Sequence, residues 1–182
     1  MAIRKILTLG DPTLRKISNR VTRFDLRLAL LLRDMKDTMY HAEGAGLAAP
    51  QIGILRRITV IDAGDGLIEL INPEIVETRG EIGMIEGCLS VPGRRGFVTR
   101  AEWARVRAFD RKGNAFEVEG DGLLGRALQH ELDHLDGRMY VDFMDYEVFE
   151  EPEQPGQPEP GEEAVNTLAT QALSAWARRT TR

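Results

Sequence analysis

The sequence predicts an α+β fold: antiparallel or mixed β-sheets packed around a central helix that carries a His-Glu-x-x-His pattern, with an N-terminal helix and a C-terminal helix. Three observations predict it. Apolar residues recur at helical spacing in residues 25–43 and again in residues 123–135. Four short runs of β-forming residues come in two pairs, each joined by a turn rich in Gly, Asp or Asn. Helical and extended segments are segregated along the chain and do not alternate, which argues against a doubly wound parallel sheet.

The elements follow in chain order. Asp11-Pro12-Thr13 punctuates the N-terminal segment. Asp25 is a good N-cap for the first helix, whose Leu28, Leu31, Leu32, Met35 and Met39 keep helical spacing, and Gly44 is expected to end it. His41, near that end, reads as a solvent-facing residue whose partial charge suits a helix C-terminus. In residues 44–53, Gly-Ala-Gly-Leu-Ala-Ala-Pro-Gln-Ile-Gly, small side chains let backbone approach a bound molecule, although a tight turn explains them equally well. The stretch lacks the Lys and Ser/Thr of a phosphate-binding loop. Residues 58–61 and 67–71 read as strands joined across Ala63-Gly64-Asp65-Gly66, and Asn72-Pro73 is expected to close the pair.

Residues 77–85 look extended and irregular, and Glu86-Gly87-Cys88-Leu89-Ser90-Val91-Pro92-Gly93 follows, with Arg94 and Arg95 just behind. Residues 106–109 and 116–119 alternate around an Arg111-Lys112-Gly113-Asn114 turn. Gly120-Asp121-Gly122 leads into the second helix, and Gly137 is a plausible stop. After Tyr146 the composition changes. Residues 147–163 hold four prolines, seven acids and no bases, and are expected to be extended and solvated. Val165, Leu168, Ala172, Leu173 and Trp176 then form one face of a last amphipathic helix. The organisation is therefore a body of residues 1–146, an acidic linker of 147–163 and a helical tail of 164–182.

At 182 residues the chain has ample length for a real core. A net charge of −5 argues against sequence-independent nucleic-acid binding, and no DNA partner is expected. The single cysteine excludes an intramolecular disulfide, which suits a reducing compartment. The N-terminal residues resemble neither a secretory signal nor a transit peptide, and no run approaches the ~20 apolar residues of a membrane span. The cytoplasm is the expected location.

Chemistry concentrates in Gln129-His130-Glu131-Leu132-Asp133-His134. Residues four apart on a helix lie on nearly one face, roughly 6 Å apart along the axis, so His130 and His134 can converge on one ion. Glu131 sits about 100° round from His130, placed to reach a water without ligating. A catalytic two-histidine helix needs a third protein ligand and an open position. Downstream, Glu147, Glu150 and Glu151 border the linker and have no rigid element to present them. Upstream, Cys88 lies in a glycine-bounded turn; it is either a ligand or a small buried hydrophobe.

Three blocks together resemble the peptide deformylase family: Gly44-Ala45-Gly46-Leu47-Ala48-Ala49-Pro50-Gln51, Glu86-Gly87-Cys88-Leu89-Ser90, and Gln129-His130-Glu131-Leu132-Asp133-His134. They match that family's G-x-G-L-A-A-x-Q, E-G-C-x-S and Q-H-E-x-D-H patterns in order and at similar separations, and the resemblance spans about residues 3–144. The acidic proline-rich stretch lies outside it.

The resemblance implies a metal-dependent hydrolase that removes the formyl group from N-terminal formyl-methionine of nascent polypeptides. Cys88, His130 and His134 would bind one divalent ion per chain, Fe(II) in the cell, with Zn, Ni or Co in isolated protein. Water would fill the fourth position. Glu131 would act as general base, Gln51 and the backbone N–H of Leu89 would steady the oxyanion, Gly46 would offer backbone to the substrate, and Arg95 occupies a substrate-contacting position. Glu86 is expected to pair with Arg100 and hold the cysteine turn. Ala45 and Arg126 would border the methionine pocket, and the C-terminal helix, with Arg178, Arg179 and Arg182, would make a transient ribosome contact. Two rivals make different predictions. A generic His-Glu-x-x-His peptidase would use a downstream third ligand and keep its activity in Cys88→Ser. A binding or metal-storage module would show no turnover when fully metallated.

Overall fold

The computed structural model describes residues 2–149. The linker from residue 150 onward and the C-terminal helix expected over residues 164–182, with its arginines, lie outside the described residues.

Helix α1 (Leu26–His41) starts where Asp25 accepts hydrogen bonds from the backbone N–H of Arg27 and Leu28, and Leu28, Leu32, Met35 and Met39 are its buried stripe. The helix does not end on Gly44. Glu43 takes the left-handed conformation at φ 55, and Gly44 follows it, its N–H donating to the Met39 carbonyl.

The stretch expected as a small-residue loop contains strand β1 (Gly46–Ala48) and a 3-10 turn (Ala49–Ile52). Strand β1 pairs antiparallel with β2 (Ile58–Ile61), which pairs with β3 (Ile68–Arg79). Asn72-Pro73 does not close this pair. Strand β3 runs through it with a register shift between Ile71 and Glu74, which takes the N–H-free proline out of the ladder. Asn72, at φ 52, anchors the irregularity by accepting from the Val21 N–H and donating to the Val21 carbonyl.

Residues 77–85, expected to be irregular, are regular strand: 77–79 end β3, and after a turn at Gly80, φ 66, the chain crosses to the second sheet as β4 (Ile82–Cys88). Strand β5 (Val91–Arg100) returns antiparallel to β4, although Pro92-Gly93-Arg94-Arg95-Gly96 shows no strand-like alternation. Strands β6 (Trp103–Phe109) and β7 (Ala115–Gly120) complete a five-stranded antiparallel sheet in the order β1-β2-β3-β6-β7. A short strand β8 (Tyr146–Val148) pairs with β5, giving a three-stranded sheet β4-β5-β8 and carrying regular structure past Tyr146.

Helix α2 (Gly122–Leu135) closes with two hydrogen bonds, Gly137 N–H to the His134 carbonyl and Arg138 N–H to the Asp133 carbonyl, with Gly137 at φ 73. The larger sheet has a core on each face. Leu28, Leu32, Met35 and Met39 of α1 meet Leu47, Ile58, Val60 and Ile71 on one face. Ala127, Leu128 and Leu132 of α2 meet Ile61, Leu70, Val106 and Ala108 on the other. Strand β2 therefore reads as a continuous apolar run, because both of its faces are covered. Among the described residues no helix is long and apolar enough to cross a membrane. The class is α+β with antiparallel sheets and two described helices.

Candidate active site

Helix α2 turns its apolar stripe to the large sheet and its polar stripe to the small one. Arg126 donates to the carbonyls of Val98 and Ile82 and to Glu86 Oε1, at 2.9, 2.8 and 2.5 Å. One turn on, His130 Nδ1 lies 2.8 Å from Glu86 Oε2, which leaves Nε2 to face inward. His134 Nε2 lies 3.2 Å from Cys88 Sγ. The donor atoms of Cys88, His130 and His134 all fall within 4.8 Å of one another. Four-coordinate ligands bonded at about 2.0–2.3 Å stand about 3.3–3.8 Å apart, so small side-chain rotations bring the three onto one ion. A soft thiolate with two imidazoles suits Fe(II), Zn, Ni or Co, and three protein ligands leave a position open.

Cys88 ends β4, and Leu89-Ser90 makes the turn into β5. The Leu89 side chain covers Gly44, where an added Cβ would stand 2.7 Å from Leu89 Cδ1. Gln51 is buried in the 3-10 turn after β1. Its Oε1 accepts from the Ala48 N–H at 2.8 Å, which orients the amide, and its Nε2 donates to Ser90 Oγ at 3.1 Å and toward Cys88 Sγ at 3.5 Å. The N-terminal segment ties these blocks together: Leu7 N–H donates to the Gln51 carbonyl and Leu9 N–H to the Ser90 carbonyl.

Glu131 is buried against β1. A Cβ on Gly46 would lie 2.3 Å from Glu131 Oε1, so only glycine leaves that carboxylate where it is. Glu131 Oε2 and His134 Nδ1 are buried with no hydrogen-bond partner among the described residues. Unpartnered polar atoms this deep call for a ligand or water.

The electrostatics follow from burial and pairing. Burial opposes ionisation of Glu86, but hydrogen bonds from His130 and Arg100 outweigh it and draw the carboxyl down to about 2. Burial also disfavours charge on His130, yet its hydrogen bonds to Cys88 and Glu86 push it up to about 10. His134 falls well below the ordinary value through burial and the neighbouring His130 charge. Burial lifts Glu131 to about 7, opposed by the His130 charge. A divalent ion held by Cys88, His130 and His134 would compete with protonation of His130 and would favour the ionised form of Glu131.

Some of this the sequence did not reveal. The Glu86–Arg100 pair forms as expected, at 2.5 and 3.1 Å, but Arg100 also donates to Asp133 Oδ2 at 2.7 Å. Arg126, expected to border the methionine pocket, has its guanidinium buried in this network. An arginine inside an apolar helical pattern was the available signal of that second role. Arg95 lies on β5 across from Gly87, with an exposed side chain. Glu147, weighed as a downstream ligand, is held by Arg94 at 2.6 Å.

A family model described as polypeptide deformylase matches residues 3–149. A peptide deformylase from Caldicellulosiruptor bescii is 57% identical over 142 residues, covering 78% of this chain and 86% of its own. Among solved structures, a peptide deformylase from Legionella pneumophila is similar at TM-score 0.76 and 44% identity, covering 100% of this chain and 99% of its own. One from Thermotoga maritima is similar at TM-score 0.78 and 40% identity, covering 80% and 99%.

Proposed function

This chain belongs to the peptide deformylase family, and from that premise we propose how its residues carry out the reaction. The protein is a metal-dependent hydrolase that removes the N-formyl group from formyl-methionine at the start of nascent polypeptides, releasing formate. The observation that carries the site assignment is the convergence of Cys88, His130 and His134 beside buried Glu131.

In our reading the two sheets pack around α2 so that His130, His134 and Cys88 hold one divalent ion, Fe(II) in the cell. When bound, the ion acidifies a water and polarises the formyl carbonyl. Glu86 fixes the His130 ring through Nδ1, and Arg100 and Arg126 hold Glu86 in turn, so His130 keeps the tautomer that ligation needs. Glu131 takes the proton from the attacking water and passes it to the departing amine, a transfer worth roughly 10²–10⁴-fold. Gln51 Nε2 and the Leu89 N–H donate to the carbonyl oxygen as it becomes an oxyanion; one such donor contributes roughly 3 kcal/mol.

Strand β1 begins one sheet order and β4 the other, so both present edges to an extended peptide. We assign the substrate backbone contact to Gly46 on β1, and a contact further along the peptide to Arg95. The enzyme works in the cytoplasm, with a transient ribosome contact.

The test compares formyl-Met, acetyl-Met and internally cleavable peptides on metal-loaded protein. Formate release from the first, with the others left intact and Cys88→Ser inactive, is the expected result. Internal cleavage that survives Cys88→Ser would replace this reading with a peptidase.

A further inference from the structure

The chain is acidic overall, at −5, yet one groove reverses that sign. A cavity of about 320 Å³ at the start of α1 is lined by Arg20, Arg23, Arg27 and Arg56, together with Asn19 and Asp25. The single carboxylate is already engaged: Asp25 accepts from the backbone N–H of Arg27 and Leu28 and lies 3.5 Å from Arg23. Arg20 pairs with Glu74 at 2.5 Å. The guanidinium groups of Arg27 and Arg56 have no ion-pair partner among the described residues.

We propose that this groove binds the phosphodiester backbone of RNA, as a docking surface separate from the Cys88 site. The cations are all arginines, whose planar forks match phosphate oxygens two at a time. Arg20 and Arg23 remain 59% and 81% exposed at their side chains, so they reach outward to a surface and do not enclose a small anion. The inference rests on the reading that the substrate is a nascent polypeptide, which emerges from a particle rich in exposed RNA. Docking through arginines raises the local concentration of enzyme where formylated N-termini appear.

The experiment uses the full metal-loaded chain and a labelled short RNA hairpin, followed by fluorescence anisotropy over a range of salt. The variants are Arg27→Gln/Arg56→Gln, and Arg178→Gln/Arg179→Gln/Arg182→Gln for the tail. The groove pair is expected to weaken binding about tenfold per arginine near ~0.1 M salt, and to flatten the log–log salt slope by about 2. Formate release from a short formyl-Met peptide and the thermal midpoint should not change, which separates this inference from the activity itself. Parent-like RNA affinity in the groove pair, or loss confined to the tail variant, overturns the proposal. So does binding to inorganic phosphate or to phosphatidylglycerol vesicles without binding to RNA, because the groove would then take a different partner. A parent without formate release, but with groove-dependent RNA binding, would sink the activity reading alone.

Discussion

Gly46→Ala isolates the placement of Glu131 from its chemistry. The added methyl would lie 2.3 Å from Glu131 Oε1, 2.8 Å from Cδ and 3.0 Å from Cγ, whereas ordinary contact begins near 3.4 Å. The carboxylate must therefore retreat by about 1 Å, and misplacement on that scale costs on the order of 10²-fold in rate. Gly46 has no left-handed backbone requirement and the obstructing atoms belong to one side chain, so the fold tolerates the change. The expected result is a thermal midpoint within a few degrees of the parent, about 3 °C, with formate release about 10²-fold slower. Combining Gly46→Ala with Glu131→Ala completes a cycle. If the methyl acts only through the carboxylate, the double variant is no slower than Glu131→Ala alone. A rise in KM beyond that of Glu131→Ala alone would report the substrate contact assigned to Gly46. Gly46→Ala within twofold of the parent would refute the claim that this glycine fixes the base.

Other perturbations reach different parts of the account. Glu86→Ala leaves Arg100 and Arg126 buried without their carboxylate, and is expected to destabilise by about 3–5 kcal/mol in urea unfolding; a change below about 1 kcal/mol would mean the network is not a strong structural tie. Gly137→Ala places a side chain at φ 73 and its Cβ 2.7 Å from the Arg15 backbone, so about 1–3 kcal/mol should be lost with turnover per folded enzyme unchanged. Asp34 titrates below its ordinary 3.8, because hydrogen bonding to Arg4 outweighs the opposing burial. A lowered folded-state value gives stability that is complete above 3.8 and is lost as pH falls below it. Asp34→Asn should therefore be less stable than the parent near pH ~7, with the gap narrowing toward pH ~2.5; a constant gap in urea midpoints would contradict the ion pairing.

The parts of this molecule that were legible in the sequence are those where local pattern and tertiary environment agree. Asp25 and the Leu28-Leu32-Met35-Met39 stripe specify α1 because one face is buried and the cap is local. His130 and His134 share a helix face by spacing alone. Strand β5 was not legible: Arg94 and Arg95 are both exposed, and Gly96 is small because Met144 and Tyr140 pack over it. Alternation is absent there for a packing reason that only the fold reveals. Asn72-Pro73 read as a stop because proline cannot donate, but a register shift and the Asn72–Val21 bonds carry β3 past it. At the site, Gln51, Cys88 and the histidines were found as motifs. The pairing of Arg126 with Glu86 was not legible because the two are 40 residues apart in sequence. The clamp from Leu7 and Leu9 has no sequence signature at all, since it is made of backbone groups.

The most direct measurement is formate release from a formyl-Met dipeptide by protein loaded anaerobically with Fe(II), beside Glu131→Ala carrying the same iron per chain. The account predicts robust release by the parent and a loss of roughly 10²-fold or more in the variant, with iron content unchanged, because Glu131 moves the proton and does not hold the metal. Equal rates at equal iron would contradict the assignment of Glu131. No release from the iron-loaded parent would contradict the reaction itself.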